Sequence, residues 1–263
     1  MLSNALLLTI LFFAAAVHAA ELQESDDFLA AITKAIQDGK PEQLEHLLQQ
    51  VKDLPLLLST EFNKGSLTPL QFAAKTNAAT VPLLLRSGSD PLLAHSETGT
   101  LPLIFASRDG EMEATEALLA ASKGRAGFHI DQPDSLGSSA LNVVAITCNV
   151  AMAERLMQEG ASVVRKDDAG NTALHVGAWY CNDEDSGREK GGAFARALLA
   201  GLGDGEDVDV LGGTGRTALM LAAMRGATGY WDALIEAGAS ASRVGTNPDG
   251  KSAQELRAER AEL

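Results

Sequence analysis

The side chains in this chain of 263 residues that invite chemistry are two cysteines, five histidines and the acids clustered over 204–209. Cys148 and Cys181 are each followed by asparagine, Asn149 and Asn182. There is no Cys-x-x-Cys, the spacing used by dithiol oxidoreductases. In an oxidising compartment an even count of two suggests a disulfide instead. Asp204-Gly205-Glu206-Asp207-Val208-Asp209 clusters the hard oxygen ligands that calcium wants, but no glutamate follows at the spacing of a calcium loop. His46, His95 and His129 are isolated and make no His-x-x-x-His pair. Neither a glycine-rich phosphate loop nor a Gly-x-Ser-x-Gly turn is present. Without a recognisable nucleophile, base and orienting group, the sequence argues against an enzyme and implies no cofactor and no metal.

The elements that position these residues form a repeat. Gly170-Asn171-Thr172-Ala173-Leu174-His175 recurs as Gly215-Arg216-Thr217-Ala218-Leu219 and as Gly137-Ser138-Ser139-Ala140-Leu141. It recurs again as Gly99-Thr100-Leu101-Pro102-Leu103 and as Ser66-Leu67-Thr68-Pro69-Leu70. Leu70, Leu103, Leu141, Leu174 and Leu219 are therefore equivalent, at spacings of 33, 38, 33 and 45 residues. The Gly supplies a turn, Thr or Ser caps a first helix, and Pro suits its first turn. Paired leucines, Leu84-Leu85, Leu118-Leu119 and Leu198-Leu199, mark a second helix, closed by turns such as Glu159-Gly160-Ala161-Ser162.

A period of ~33 residues with a Thr-Pro-Leu-His-x-Ala core resembles the ankyrin-repeat family. The resemblance covers nearly all of the chain after residue 19. It implies an all-α ankyrin-repeat solenoid of helix-turn-helix units joined by short β-hairpin loops. The implied order is a signal peptide over 1–19, a degenerate capping repeat over 20–62, five repeats over 63–245 and a capping repeat over 246–263. Within that frame His175 ties neighbouring turns together by hydrogen bonds, and Gly205 to Asp209 occupies the family's Gly-Ala-Asp-Val-Asn turn. Cys148 and Cys181 replace the family's Gly-His at the end of the first helix in two adjacent units. Equivalent atoms in stacked units lie ~10 Å apart, one helix diameter, which exceeds the reach of a disulfide. The loss of glycine and the insertion after Cys181 would have to draw the two together, so bonded and free cysteines both remain open. That insertion, 182–192, reads as a solvated loop between two helices, on what is often the working face. A smaller enlargement surrounds Ser122 to Gly127.

The first twenty residues contain no Lys, Arg, Asp or Glu, and an apolar run from Leu6 to Val17 leads to Val17-His18-Ala19. This is the pattern of a secretory signal peptide, with cleavage expected after Ala19 and delivery to the periplasm. The run is shorter than the ~20 residues a spanning helix needs, so no stable membrane insertion is expected after cleavage. The net charge of -14 falls wholly on the remainder, which disfavours nucleic acid.

Ankyrin proteins bind through hairpin tips and the exposed ends of the first helices, which line a concave face. Transferred to this sequence, that habit selects Lys75, Thr76, Arg108, Asp109, Ile146, Thr147, Trp179, Tyr180, Met224 and Arg225. The tips add Glu97, Thr98, Ser135, Leu136, Asp168, Asn171, Thr214 and Arg216. Trp179 and Tyr180 stand out in an aromatic-poor chain, since Trp, Tyr and Arg dominate binding hot spots, whereas Tyr230-Trp231 reads as packing. The mixed character of this set suits one specific protein partner and a monomer when free. Two functions follow from the resemblance: a toxin-neutralising immunity protein or inhibitor that binds and restrains another envelope protein, or an adaptor supporting an envelope enzyme such as one of oxidative-stress defence.

Overall fold

The computed structural model describes residues 28–61, 67–184 and 187–262. The signal peptide and its cleavage after Ala19 lie outside them. Two compact units divide between Asp90 and Pro91, so the first of the five expected repeats clusters with the N-terminal helices.

The first unit contains α1 (28–37), α2 (Pro41–Leu48), α3 (Leu54–Ser59), α4 (Pro69–Thr76) and α5 (Val81–Arg86). Helix α1 buries Ile32, Ala35 and Ile36, and α2 buries Leu44 and Leu48. Helix α3, which the sequence pattern does not separate, starts where the Asp53 carboxylate accepts the Leu56 N–H at 3.1 Å. Thr68 and Gln71 form a reciprocal capping box at the start of α4, satisfying amides that the helix itself leaves open.

The second unit stacks α6 (Pro102–Asp109), α7 (Met112–Ser122), α8 (Ala140–Thr147), α9 (Val150–Gln158), α10 (Ala173–Tyr180), α11 (Arg188–Ala200), α12 (Ala218–Arg225), α13 (Thr228–Glu236) and α14 (Ala253–Ala261). The first helices of successive units pack in order, α6 on α8, α10, α12 and α14, while α9, α11 and α13 form a second row. Leu103, Leu141, Leu174 and Leu219, the repeat leucines, are all buried between the rows. Each contributes ~1.5–3 kcal/mol relative to exposure, and none could be satisfied within a single repeat.

The caps of the first helices follow the frame with one exception. Ser139, Thr217 and Ser252 accept the amides of Asn142, Met220 and Glu255, and Thr172 pairs with His175. In the unit that opens at Ser96 the cap position is Leu101, which makes no side-chain bond. There the turn is held one residue earlier, by Thr98 and Thr100 hydroxyls 2.7 Å apart. The hairpin loops are hydrogen-bonded turns, and no strand forms among the described residues; Val244 and Ser252 make an isolated antiparallel bridge.

The expected loop over 182–192 is only partly a loop. Helix α11 already begins at Arg188, and Gly191 and Gly192 are buried in it. A Cβ on Gly191 would lie 2.4 Å from the Cys181 carbonyl, and one on Gly229 of α13 would lie 1.9 Å from the Arg188 carbonyl. Gly191, Gly192 and Gly229 are thus what lets α11 approach both neighbours. Asp185 and Ser186 of this segment lie outside the described residues.

Candidate partner-binding face

The second unit has two edges, one formed by the hairpin tips and the other by the turns between paired helices. At the tips, backbone groups pair from one unit to the next. The Ser135 N–H donates to the Thr98 carbonyl at 2.8 Å, and the Asp168 N–H to the Leu136 carbonyl at 3.0 Å. His175 continues the chain of contacts. Its Nδ1 accepts from the Thr172 hydroxyl at 2.7 Å and the Thr172 N–H at 3.3 Å, while Nε2–H donates to the Arg216 carbonyl at 3.1 Å. Burial pushes its pKa down to about 4 against the opposing pull of backbone carbonyls of Arg216 and Val210. A neutral ring with both nitrogens engaged is a tie between turns and is poorly placed to act as a base.

Glu206, Asp207 and Asp209 of the 204–209 run are also engaged. Both Asp209 carboxylate oxygens accept the Ser240 N–H, at 3.2 and 2.9 Å, and Asp131 does the same for Ser162 two repeats earlier in the stack. Asp207 pairs with Arg243 at 3.4 Å. Among the described residues no three His, Cys, Asp or Glu side chains converge as a metal cluster.

At the other edge basic side chains from neighbouring elements cap the carbonyls that end the first helices, and large side chains face outward. Ile146, Trp179 and Tyr180 are 43%, 38% and 46% exposed, at the ends of adjacent helices α8 and α10. Trp179 is fixed from the next unit: the Arg225 guanidinium sits 4.9 Å from its ring centroid, and Arg225 Nε donates to its carbonyl at 3.1 Å. Lys190 of α11 donates to the Thr147 carbonyl at 3.1 Å. Beside this bond, Arg108, Asp109, Thr147, Asn149 and Lys190 line a hollow of about 410 Å³. Arg108 pairs with Asp109 and covers Phe105, 5.5 Å from its centroid.

Directly behind the exposed pair on each helix, Cys148 and Cys181 are joined as a disulfide with Cα atoms 5.8 Å apart. The separation is well below the helix-diameter spacing of stacked repeats, so the two turns are drawn together. Cys148 makes this approach in the left-handed region, at φ 54°, where the corresponding Gly110 and Gly226 have φ 81° and 66°. It is the one residue with a Cβ at positive φ among those described.

Not every residue expected at a binding face stands free. Arg216 is mostly buried, its guanidinium bound to Asp249 and its carbonyl to His175; the tip geometry that puts it near the surface also consumes it. Thr98 is bound to His95 and Thr100. Met224 is half-buried, its carbonyl accepting from Arg260 at 2.9 Å. Lys75 and Thr76 are exposed but end α4 in the first unit. Leu136, Asp168 and Thr214 are exposed at the tips, and Tyr230 and Trp231 are buried. Lys190 and Arg260 were not legible as edge residues, because neither occupies a position that the repeat indexes in the other units.

No family model matches the chain. Among solved structures it is similar to the ankyrin repeat domain of Bcl-3, a member of the IkappaB protein family, with a TM-score of 0.67 and 21% identity over 86% of this chain and 92% of that one. It is also similar to an ankyrin repeat domain from Acinetobacter baumannii AYE, with a TM-score of 0.62 and 20% identity over 80% and 98% of the two chains. The protein therefore has the ankyrin-repeat fold.

Proposed function

We propose that the protein is an exported, non-enzymatic binding protein of the periplasm that holds one protein partner on the inter-helix-turn edge of its second unit and restrains that partner's activity, as an immunity protein or inhibitor does. The observation that carries this reading is the row Ile146, Trp179 and Tyr180, exposed yet fixed by Arg225 and by the disulfide behind them. Aromatic anchors held in place before contact lose little freedom on binding, which is how such residues become hot spots. The ankyrin-repeat fold is generally a protein-interaction module, which favours binding over catalysis, as does the engagement of His175 and Asp209 in ties between units. The disulfide is favourable to an oxidising compartment such as the periplasm, and the apolar N-terminal run gives a route there.

The test is a pull-down from envelope extract with the chain from Ala20 onward, beside a Trp179→Ala/Tyr180→Ala variant. One stoichiometric partner, retained by the first and lost by the second, is the expected outcome, followed by loss of that partner's activity on titration. Undiminished activity in the complex would replace the inhibitor reading with an adaptor. Capture that is equal for both proteins would remove this edge as the site.

A further inference from the structure

We propose that the Cys148–Cys181 disulfide is the positioning element of the turn edge, a lock closed once during maturation, without which the Ile146 and Trp179–Tyr180 turns do not form one surface. The proposal rests on the binding reading above for its purpose but not for its geometry. Each half-cystine follows the exposed residues by one position: Ile146-Thr147 precede Cys148, and Trp179-Tyr180 precede Cys181. The bond sets the two turns 5.8 Å apart between Cα atoms, against roughly one helix diameter, ~10 Å, for stacked helices.

Local backbone preference works against this arrangement. Cys148 is held at φ 54°, a region that residues with a Cβ disfavour and glycine enters freely. Gly110 and Gly226 fill the same position at positive φ in two of the three repeats without a cysteine, and Asn77, in the third, leaves its helix in extended backbone at φ -162°. A cysteine in place of the expected glycine needs a compensating constraint, and the disulfide is that constraint. Around it the structure is fitted to the closed form: Gly191 leaves room for the Cys181 carbonyl, and Lys190 reaches back from α11 to the Thr147 carbonyl.

Cys148 is 1% exposed and Cys181 0%, so the folded protein shields the bond from thiols. Closure belongs to folding. A Cys148 thiolate attacks a disulfide of a thiol–disulfide oxidase, forming a mixed disulfide and releasing one oxidase thiolate. The Cys181 thiolate then attacks the Cys148 sulfur and expels the second. The two cysteines lose two protons and two electrons, and the oxidase disulfide leaves as a dithiol. A chain still in a reducing compartment would thus lack the assembled face, so partner capture would begin only after export.

The test is amide hydrogen exchange on three forms of the free protein: the oxidised chain, the same chain refolded and kept in reductant, and Cys148→Gly/Cys181→Gly. Glycine relieves the left-handed backbone at 148, so this variant isolates loss of the bond from strain. Exchange at 146–149 and 179–182 should rise at least tenfold in the second and third forms, with α12 protection and helical circular dichroism unchanged. Unaltered exchange in the two turns would overturn the proposal. So would loss of helical signal throughout, because the bond would then staple the whole fold and not one edge. Partner capture by the oxidised chain is a separate measurement: faster exchange with no partner captured would sink the binding reading and leave the positioning role standing.

Discussion

The two edges of the second unit are built from the same repeats and solve opposite problems. At the tip edge backbone groups find partners in the neighbouring repeat, through Ser135 to Thr98 and Asp168 to Leu136, and the His175 ring reaches the Arg216 carbonyl. Those bonds fix the stacking register and leave few large side chains for anything else. At the turn edge adjacent units are joined by side chains, Arg225 over Trp179 and Cys148 to Cys181, and apolar surface stays in solvent. The same scaffold thereby separates holding the stack together from presenting a surface. Between the edges lies the core that both depend on, and it sets the scale of every other effect.

The largest expected effect is therefore in that core. Leu174→Ala removes a side chain only 4% exposed, sandwiched in the continuous apolar cluster of the second unit. Its backbone carbonyl also accepts from the buried Tyr230 hydroxyl at 3.1 Å. Chemical denaturation should register a loss of ~2–5 kcal/mol. A loss below ~1 kcal/mol, the range of surface substitutions, would mean that Leu174 is not between the edges at all and that no common core supports them.

How much of this could be read from sequence differs between the edges for a physical reason. The tips and the core are periodic: the turn glycines, the capping Thr or Ser and the repeat leucines must recur because each unit faces a copy of itself. His175 was identifiable as a tie from its place in the frame, and Tyr230-Trp231 as packing. The turn edge is where units are free to differ, so the candidates Ile146, Trp179 and Tyr180 could be indexed while their supports could not. Arg225 over Trp179 is a contact 46 residues apart, and no local pattern announces it. Arg216 is not a free surface residue because Asp249, in the segment that opens at Asn247, takes its guanidinium. The Cys148–Cys181 pair was visible as equivalent positions, but its closure depends on one residue adopting positive φ, which a sequence does not declare for cysteine. The inserted segment misled for a related reason: glycines serve loops and close helix packing alike, and Gly191, Gly192 and Gly229 serve packing.

A middle-sized effect sharpens the comparison through pH. His175 at the tip edge has its pKa lowered to about 4 by burial, from an ordinary value near 6.5. Between those values the unfolded chain binds a proton that the folded chain refuses. Its contribution to stability is therefore fully present above pH ~6.5 and is lost as pH falls toward ~4, about 2 kcal/mol of it by pH 5. Protonating Nδ1 would also set it against the two Thr172 donors. Denaturation at pH 7.5 and pH 5 should show this loss in the parent chain. In His175→Asn, where an amide can cap Thr172 as Asn142 caps Ser139, the difference between the two pH values should shrink by a similar amount. An unchanged pH slope would mean that the tip edge is not held by a neutral histidine.

The smallest effect on stability is expected at the turn edge, and that smallness is the point. Trp179→Ala/Tyr180→Ala deletes two large side chains, yet both project into solvent by more than a third of their surface. What folding loses includes the stacking of Arg225 on Trp179, worth ~0.5–1 kcal/mol at an exposed site, and the contacts of Tyr180, which is 46% exposed. The Arg225 bond to the Trp179 carbonyl survives, since it engages backbone. Denaturation of the double variant should therefore stay within about 1 kcal/mol of the parent, with helical content unchanged. If it instead lost as much as Leu174→Ala, the aromatic pair would be part of the core and the edge would present no anchor to a partner. A near-neutral stability change makes any loss of partner capture by the same variant a statement about the surface, because the scaffold beneath it is intact.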